Sequence, residues 1–293
     1  MGPNLRLLIT ITGCLWGMVV LAQPEIPFTY GVAKGKVPSA VINEASGLVA
    51  SRAHPGWFWT HNDSGDSARI FLIDYSATLR SSYYLEGITA YDWEDISLMT
   101  RGDKPYLLVA DIGDNGGRRP FIYLHVVEEP ETVGNPTAMD TIPRAHITTW
   151  VMKYEDGPRD AESLFFDPVD ECIYVVGKRE LPAGIYRTAL PDQPADTLLL
   201  KRVGTVPQTF LTAADIRSDG GELLMKNLLH VFYWKRQPGE SIPTMLKRPA
   251  LTLPYQPEPQ GEAITFAADG SGYYTLSESA LGMEAVLYFY PRR

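Results

Sequence analysis

The chain has 293 residues, of which 45% are hydrophobic and 11% aromatic. This composition is typical of a folded globular protein and excludes a disordered chain, a collagen and a coiled coil. The formal charge is −9, from 26 Lys and Arg against 35 Asp and Glu. Because nucleic acid and anionic membranes attract positive proteins, we expect no nucleic-acid partner. The negative charge suits a cation, or a basic or neutral ligand.

Residues 1–22 have the pattern of a secretory signal peptide. One basic residue, Arg6, precedes an apolar run at 7–22 that ends in a small residue, Ala22. This run is shorter than the roughly 20 apolar residues that a membrane span needs. We therefore expect a secreted or periplasmic mature chain, residues 23–293, without an integral membrane span. The alternatives are a retained N-terminal anchor and a lipoprotein attached through Cys14, which ends the lipobox-like sequence ITGC.

Five short segments share one pattern, in which small or acidic residues precede an aliphatic residue and a strand-like run. The aliphatic residues lie at intervals of 48, 68, 52 and 48 residues, and the long interval contains a polar insert, 128–146, that we interpret as a surface loop. Each repeat reads as several short strands without an amphipathic helix, which is typical of a β-propeller blade. The segments are 44–48 (EASGL), 92–96 (DWEDI), 160–164 (DAESL), 212–216 (TAADI) and 260–264 (QGEAI).

We therefore predict an all-β fold, a five-bladed β-propeller formed by the single domain 23–293. The residues after Ile264 supply three strands, and the segment near Phe28 supplies a fourth. An N-terminal strand would thus complete the last blade and close the ring, which removes two open sheet edges. The alternatives are a sixth blade within the long interval and a β-sandwich. We expect the protein to be a monomer.

Two loops carry the sequence D-x-G-D followed by Ser or Asn, one from Asp63 and one from Asp111. Each begins 15 residues after the aliphatic residue of its repeat, which predicts equivalent positions in consecutive blades. Their side-chain oxygens suit Ca²⁺, which takes about six to eight oxygen ligands. The same residue types also form Asx turns, so a purely structural turn is the alternative.

A second acidic set lies two residues before the aliphatic residue, where three repeats carry glutamate. The first strand of a propeller blade lines the central channel, so these glutamates would meet at one channel mouth, with Asp92, Asp95 and Asp160 beside them. Converging carboxylates repel one another unless a cation or a proton offsets their charge. The offset is either a bound ion or an internal network of ion pairs with lysine. We predict a Ca²⁺ site with the ligands Asp63, Glu94, Asp111 and Glu162.

Several of these segments resemble a known family. The segments 44–48, 93–96, 161–164 and 260–264, together with 273–278 (YYTLSE), are similar to the SdiA-regulated group of bacterial envelope propellers. More loosely, they resemble phytase-like and lactonase-like propellers, although the Gly that usually follows the Glu is replaced by Asp95, Ser163 and Ala263. The resemblance implies an exported propeller with an acidic channel mouth suited to Ca²⁺, and the phytase-like part of it implies hydrolysis of phosphoesters.

Together, these features favour an exported metal-dependent hydrolase of phosphoesters or related esters. A bound ion would polarise the substrate and lower the pKa of a water molecule. His61 or Glu262 would accept the proton, and Lys178 and Lys226 would stabilise the developing negative charge. One alternative is a non-catalytic propeller that binds a glycan, peptide or envelope partner. Another is a five-bladed glycosidase with two channel carboxylates as acid and base. Each of these functions places a small-molecule, glycan or peptide ligand at the channel mouth.

Overall fold

The computed structural model describes residues 25–38, 40–191, 197–280 and 282–293. The predicted signal peptide, with Cys14, lies outside these residues. Within them the fold is all-β, as predicted; the helical segments are the short α1 (Ile242–Met245) and a 3₁₀ turn at Arg144–His146. None of the described helices is long and apolar enough to cross a membrane.

The strands are short and follow one another closely along the chain. The first ten are β1 (Val32–Lys36), β2 (Ala45–Ala50), β3 (Phe58–Asn62), β4 (Arg69–Ile73), β5 (Leu79–Leu85), β6 (Trp93–Arg101), β7 (Lys104–Asp111), β8 (Ile122–Glu128), β9 (Met139–Ile142) and β10 (Ile147–Tyr154). The others are β11 (Ala161–Asp167), β12 (Cys172–Gly177), β13 (Ala183–Ala189), β14 (Leu198–Val206), β15 (Leu211–Ile216), β16 (Glu222–Asn227), β17 (Val231–Lys235), β18 (Leu251–Leu253), β19 (Ala263–Phe266), β20 (Gly272–Leu276) and β21 (Val286–Pro291).

These strands form four sheets that contain five antiparallel four-stranded units. Strands β2 to β5 form one unit, β15 to β18 another, and β19 to β21 a third that β1 completes by pairing with β21. The eight-stranded sheet contains the remaining two units, β6-β7-β8-β10 and β11-β12-β13-β14, joined by parallel pairing of β10 with β14. As predicted, an N-terminal strand completes the last unit. It starts at Val32, however, and Phe28 makes only an isolated bridge to Arg292.

The sequence predicts that the insert at 128–146 is a surface loop, but the structure shows that part of it is a strand. It contains β9, which pairs in parallel with β5 and so extends the edge of the preceding unit. At the start of the insert, Glu129 is buried and accepts hydrogen bonds from Ser51 Oγ and Trp59 Nε1. The insert therefore covers an otherwise open sheet edge and is fixed to the first unit by a buried carboxylate.

The first strands of the five units contact one another in a closed cycle, in the order β2, β6, β11, β15, β19 and back to β2. We call this arrangement the inner ring. Its strands are buried on both faces, which explains their continuous apolar and small residues. Buried side chains also link neighbouring strands: Asp215 on β15 accepts a hydrogen bond of 2.7 Å from the backbone N–H of Phe266 on β19.

Five hydrophobic clusters fill the spaces between neighbouring units. The cluster between the first and second units, for example, contains Trp59 and Trp93, both almost fully buried. The cluster between the third and fourth units contains Phe165 and Trp234. Burying an aromatic side chain of this size contributes roughly 1.5–3 kcal/mol. Packing between units therefore stabilises the inner ring and fixes where its strand ends meet.

Four inner strands are interrupted by a β-bulge, a residue that is left out of the pairing with the next strand. In β2 the residue is Gly47, whose φ of +74° favours glycine. In β6 and β11 it is Glu94 and Glu162, and in β15 it is Thr212. The bulges therefore define one equivalent position in four units, occupied by glutamate in two of them. In the fourth unit this position belongs to Thr212, although the sequence pattern pointed to Ala214.

Candidate functional site

Seven carboxylates meet at one mouth of the inner ring, around the starts of its strands. They form three groups, and within each group one ligand atom per residue lies within 4.8 Å of the others. The groups are Asp63, Asp92 and Glu94; Asp63, Glu262 and Glu278; and Glu94, Asp160 and Glu162. Because Asp63 and Glu94 each belong to two groups, the seven side chains form one continuous site, which we call the acidic pocket.

The β-bulges and a glycine bring these carboxylates together. Glu94 and Glu162 are bulge residues, and a bulge re-aims a side chain out of the regular pleat. The backbone of Gly113 passes directly over the pocket and donates a hydrogen bond of 3.1 Å to the carbonyl of Asp92. A Cβ atom at position 113 would collide with Oε1 of Glu94. The glycine of the second D-x-G-D loop is therefore required by close approach to the pocket.

The two D-x-G-D loops are not equivalent, contrary to the prediction from their spacing. Trp93 pairs with Asp111, whereas Ser46 at the same point of the first unit pairs with His61. Asp111 therefore corresponds to His61, and Asp63 lies two residues further along. The offset of two residues has two sources. The bulge lies one residue before the aliphatic residue Leu48 in β2 but two before Ile96 in β6, and the partner of Leu48 on β3 lies 12 residues along the chain whereas that of Ile96 on β7 lies 13.

Asp111 consequently lies outside the acidic pocket. Its carboxylate accepts hydrogen bonds from the backbone N–H of Tyr91 at 3.0 Å and from the guanidinium of Arg119 at 2.6 Å. Arg119 in turn lies over the rings of Tyr91 and Tyr123, with its guanidinium carbon 5.6 and 5.8 Å from their centroids. The predicted metal ligand Asp111 thus holds its loop and belongs to none of the three carboxylate groups.

Two cations contact the acidic pocket from the third unit. Lys178 forms an ion pair with Oε1 of Glu162, and Nε of Arg179 donates a 2.6 Å hydrogen bond to Asp160. The other carboxylate oxygen of Glu162, Oε2, is buried and has no hydrogen-bond partner among the described residues. The seven carboxylates outnumber these two cations, so the charge of the pocket is only partly offset.

Burial and mutual repulsion raise the pKa values in the pocket. Burial, followed by the charges of Asp63, Asp92 and Glu262, holds the pKa of Glu94 well above its usual range. Burial raises the pKa of Asp63 to about 6 and, together with Glu262, that of Glu278 to about 8. Without a cation, the pocket therefore retains protons near neutral pH, and a cation that bound there would displace them.

His61 lies in the core instead of lining the pocket. It is fully buried, its ring stands at right angles to Trp93 with 5.5 Å between centroids, and its Nδ1 donates a 2.9 Å hydrogen bond to the carbonyl of Asn62. Burial lowers its pKa to about 4, so the ring is neutral at physiological pH. This position does not favour the predicted role of His61 as the proton acceptor for a substrate.

Lys226 is also fully buried, close to Glu262 but facing a second carboxylate that the sequence did not single out, Glu258. Glu258 accepts hydrogen bonds of 3.0 Å from Tyr255 Oη and Thr275 Oγ1. Burial lowers the pKa of Lys226 to about 8 and raises that of Glu258 to about 7. The predicted catalytic group Lys226 therefore belongs to a buried polar network, whereas Lys178 and Glu262 lie at the pocket.

Asp95 is likewise separate from the pocket, although it follows Glu94 directly. Its carboxylate is fully buried inside the inner ring and accepts hydrogen bonds from backbone N–H groups of neighbouring strands.

The opposite end of the inner ring holds a cavity of about 460 Å³ whose lining includes Asp215 and Arg217. It lies at the far ends of the inner strands, away from the acidic pocket, and Arg217 is already paired with Asp219 and Glu222.

A comparison of the chain with models of protein families gives no match, and a comparison with curated proteins gives none either. The resemblance to the SdiA-regulated group thus stays a prediction. The function has to be argued from the acidic pocket itself.

Proposed function

We propose that the chain is a five-bladed β-propeller whose acidic pocket, at one mouth of the central channel, binds a divalent cation. Three features support the propeller. The first strands of five antiparallel units form a closed cycle of contacts, a hydrophobic cluster fills each space between neighbouring units, and an N-terminal strand completes the last unit. A propeller arranges its sheets around a central channel in this way, which leaves only short, protected sheet edges.

The buried Oε2 of Glu162, which has no hydrogen-bond partner in the part of the chain that the structure describes, is the observation that carries the cation proposal. A buried charged oxygen without a partner is costly, and a cation held jointly with Glu94 and Asp160 would satisfy it. All candidate ligand atoms are carboxylate oxygens, which favours a hard cation such as Ca²⁺ over metals that prefer Cys or His. We assign Asp63, Glu94 and Glu162 as ligands, with Asp160 in place of Asp111.

We further propose that the protein is a metal-dependent hydrolase of phosphoesters or related esters. When bound, a divalent cation polarises an ester and lowers the pKa of a water molecule. Glu262, which lies in one carboxylate group with the ligand Asp63, would accept the proton from this water. Lys178, beside Glu162, would stabilise negative charge that develops on the substrate.

A second candidate is a non-catalytic propeller that uses the same cation to bind a ligand. The full burial of His61 and Lys226 favours it, because two of the four predicted catalytic side chains do not reach a substrate. The two candidates share the cation site and differ only in turnover.

Thermal unfolding and a substrate panel distinguish these functions. We expect Ca²⁺ to raise the Tm of the mature chain 23–293 relative to EDTA; at 100 times Kd, the stabilisation is about 2.7 kcal/mol. Hydrolysis of p-nitrophenyl phosphate, bis-p-nitrophenyl phosphate or a lactone should then require Ca²⁺ and be lost in EDTA. Glu131→Gln, a change at an exposed residue of the insert, is the matched control. A Tm shift without turnover favours the binding function, and an unchanged Tm refutes the cation site.

A further inference from the structure

Four exposed apolar side chains lie at the pocket end of the ring, on loops of the third and fourth units. Leu181 follows β12, Phe210 precedes β15, and Leu228 and Leu229 follow β16, so all four lie at the same end of the ring as the pocket. Their exposed fractions are 72%, 52%, 40% and 64%. Exposed apolar side chains at the same end of a fold as a polar cleft suit a ligand-binding surface. We call these four residues the apolar rim.

Lys178 connects the apolar rim to the pocket. Its ammonium group is paired with Glu162 in the pocket, while its backbone carbonyl accepts a hydrogen bond of 2.6 Å from the N–H of Phe210. The loop of Phe210 is bound in turn to the next loop, because Asn227 Nδ2 donates a 3.4 Å hydrogen bond to the carbonyl of Thr209. The loop of Phe210 is therefore joined to the pocket through Lys178, and the loop of Leu228 and Leu229 is joined to that of Phe210 through Asn227.

The backbone of Phe210 is strained, which is a further sign of function. Its φ is +52°, in the left-handed region that bulky residues rarely adopt. The fold tolerates this conformation even though half of the ring remains in solvent, so core packing does not account for it. Strain of this kind concentrates at ligand-binding sites.

We propose that the ligand of this site is amphiphilic, with an anionic phosphoryl or carboxyl head at the pocket cation and an alkyl or aryl group on the apolar rim. This inference rests on the proposed cation site and adds the chemical class of the ligand. The cation supplies the charge complementarity for the head, since the carboxylates alone would repel it. The adjoining rim buries the apolar group, and each buried methylene strengthens binding.

Isothermal titration with two alkylphosphonates, whose P–C bond is not an ester and does not hydrolyse, tests the proposal. In Ca²⁺, hexylphosphonate should bind wild-type protein at least tenfold more tightly than methylphosphonate. The double variant Leu228→Ser/Leu229→Ser should lose most of that preference and keep its affinity for Ca²⁺ alone and for methylphosphonate. Both leucines are exposed, so the variant should fold. Val169→Ser, at an equally exposed residue at the opposite end of β11, is the matched control and should retain the preference.

Each other outcome is decisive. Equal binding of the two phosphonates in the presence of bound Ca²⁺, or an unchanged preference in the leucine variant, would overturn the amphiphilic ligand and leave the cation site intact. Failure of Ca²⁺ itself to bind would overturn the proposed function and this inference with it. Conversion of a wild-type dimer to a monomer by the leucine variant, measured by light scattering, would assign the rim to self-association and also contradict the proposal.

Discussion

Asp95 on β6 accepts a hydrogen bond of 2.9 Å from the backbone N–H of Leu164 on β11. The same oxygen accepts a second hydrogen bond of 3.4 Å from Ala214 on β15, so a single carboxylate joins three strands of the inner ring. Its other oxygen accepts from the N–H of Ile96 at 2.9 Å. Asp95 is fully buried, and burial holds its pKa well above the usual range. It therefore supports the ring from which the pocket glutamates extend.

Asp95→Ala should destabilise the protein by about 3 kcal/mol, because it leaves buried backbone N–H groups without an acceptor. Asp95→Asn keeps an acceptor oxygen and should lose less than half of that amount. Urea unfolding followed by tryptophan fluorescence measures both values. Asp103→Ala, in an exposed turn of the same unit, is the control and should be neutral within about 0.5 kcal/mol. Equal stability of Asp95→Ala and wild type would contradict the bridging role.

Glu94→Gln should lower the affinity for Ca²⁺ at least tenfold, because Glu94 belongs to two of the three carboxylate groups. Asp111→Asn should change the affinity by less than about threefold, since Asp111 is held by Arg119 outside the pocket. Calorimetric titration of both variants with Ca²⁺ tests whether Asp111 is a ligand, as the loop spacing predicts, or lies outside the site, as the structure indicates. A larger loss in Asp111→Asn than in Glu94→Gln would restore Asp111 as a ligand.

The cation-free protein should lose stability between about pH 5 and pH 8 through Glu278. Its pKa is raised to about 8 in the folded state, from an ordinary value of 4.5, so the folded protein holds a proton that the unfolded chain has released. The free energy of unfolding therefore falls as the pH rises through this window. In EDTA, the free energy of unfolding should fall less between pH 5 and pH 8 in Glu278→Gln than in wild type, whereas Glu131→Gln should match wild type. If the free energy of unfolding of Glu278→Gln falls as much as that of wild type, Glu278 does not carry this proton.

Lys226 and Glu258 should behave as one buried unit. Lys226→Met alone should cost about 3–5 kcal/mol of stability, because Glu258 would then lose its buried cation. The double variant Lys226→Met/Glu258→Gln should recover most of this loss. If Lys226 is structural, the double variant also keeps wild-type turnover in the substrate panel. A stable double variant that loses turnover more than 100-fold would instead support the catalytic role predicted from the sequence.

Much of the fold can be predicted from the sequence because each repeat carries the same local pattern of small or acidic residues before an aliphatic residue. The aliphatic residues of the repeats lie on β2, β6, β11, β15 and β19, with Glu94 and Glu162 in one carboxylate group and Glu262 in a neighbouring one. These features depend on which strand a residue belongs to, and the spacing of the repeats reveals that.

The errors concern register and depth, which short motifs do not encode. A bulge displaced by one residue and a hairpin longer by one residue make Asp111 look equivalent to Asp63, although it corresponds to His61. Nothing in the sequence marked His61 and Lys226 as buried, because burial depends on how neighbouring units pack. Glu278, two residues after the end of β20, is a pocket carboxylate that the repeat pattern does not mark as a ligand.

A crystal structure of the mature chain grown with millimolar Ca²⁺ tests the cation site most directly. We predict an anomalous density peak bounded by carboxylate oxygens of Glu94 and Glu162, with metal–oxygen distances of about 2.3–2.6 Å. The proposed cation site would be contradicted if no such peak is found and the pocket carboxylates contact only one another, water and Lys178.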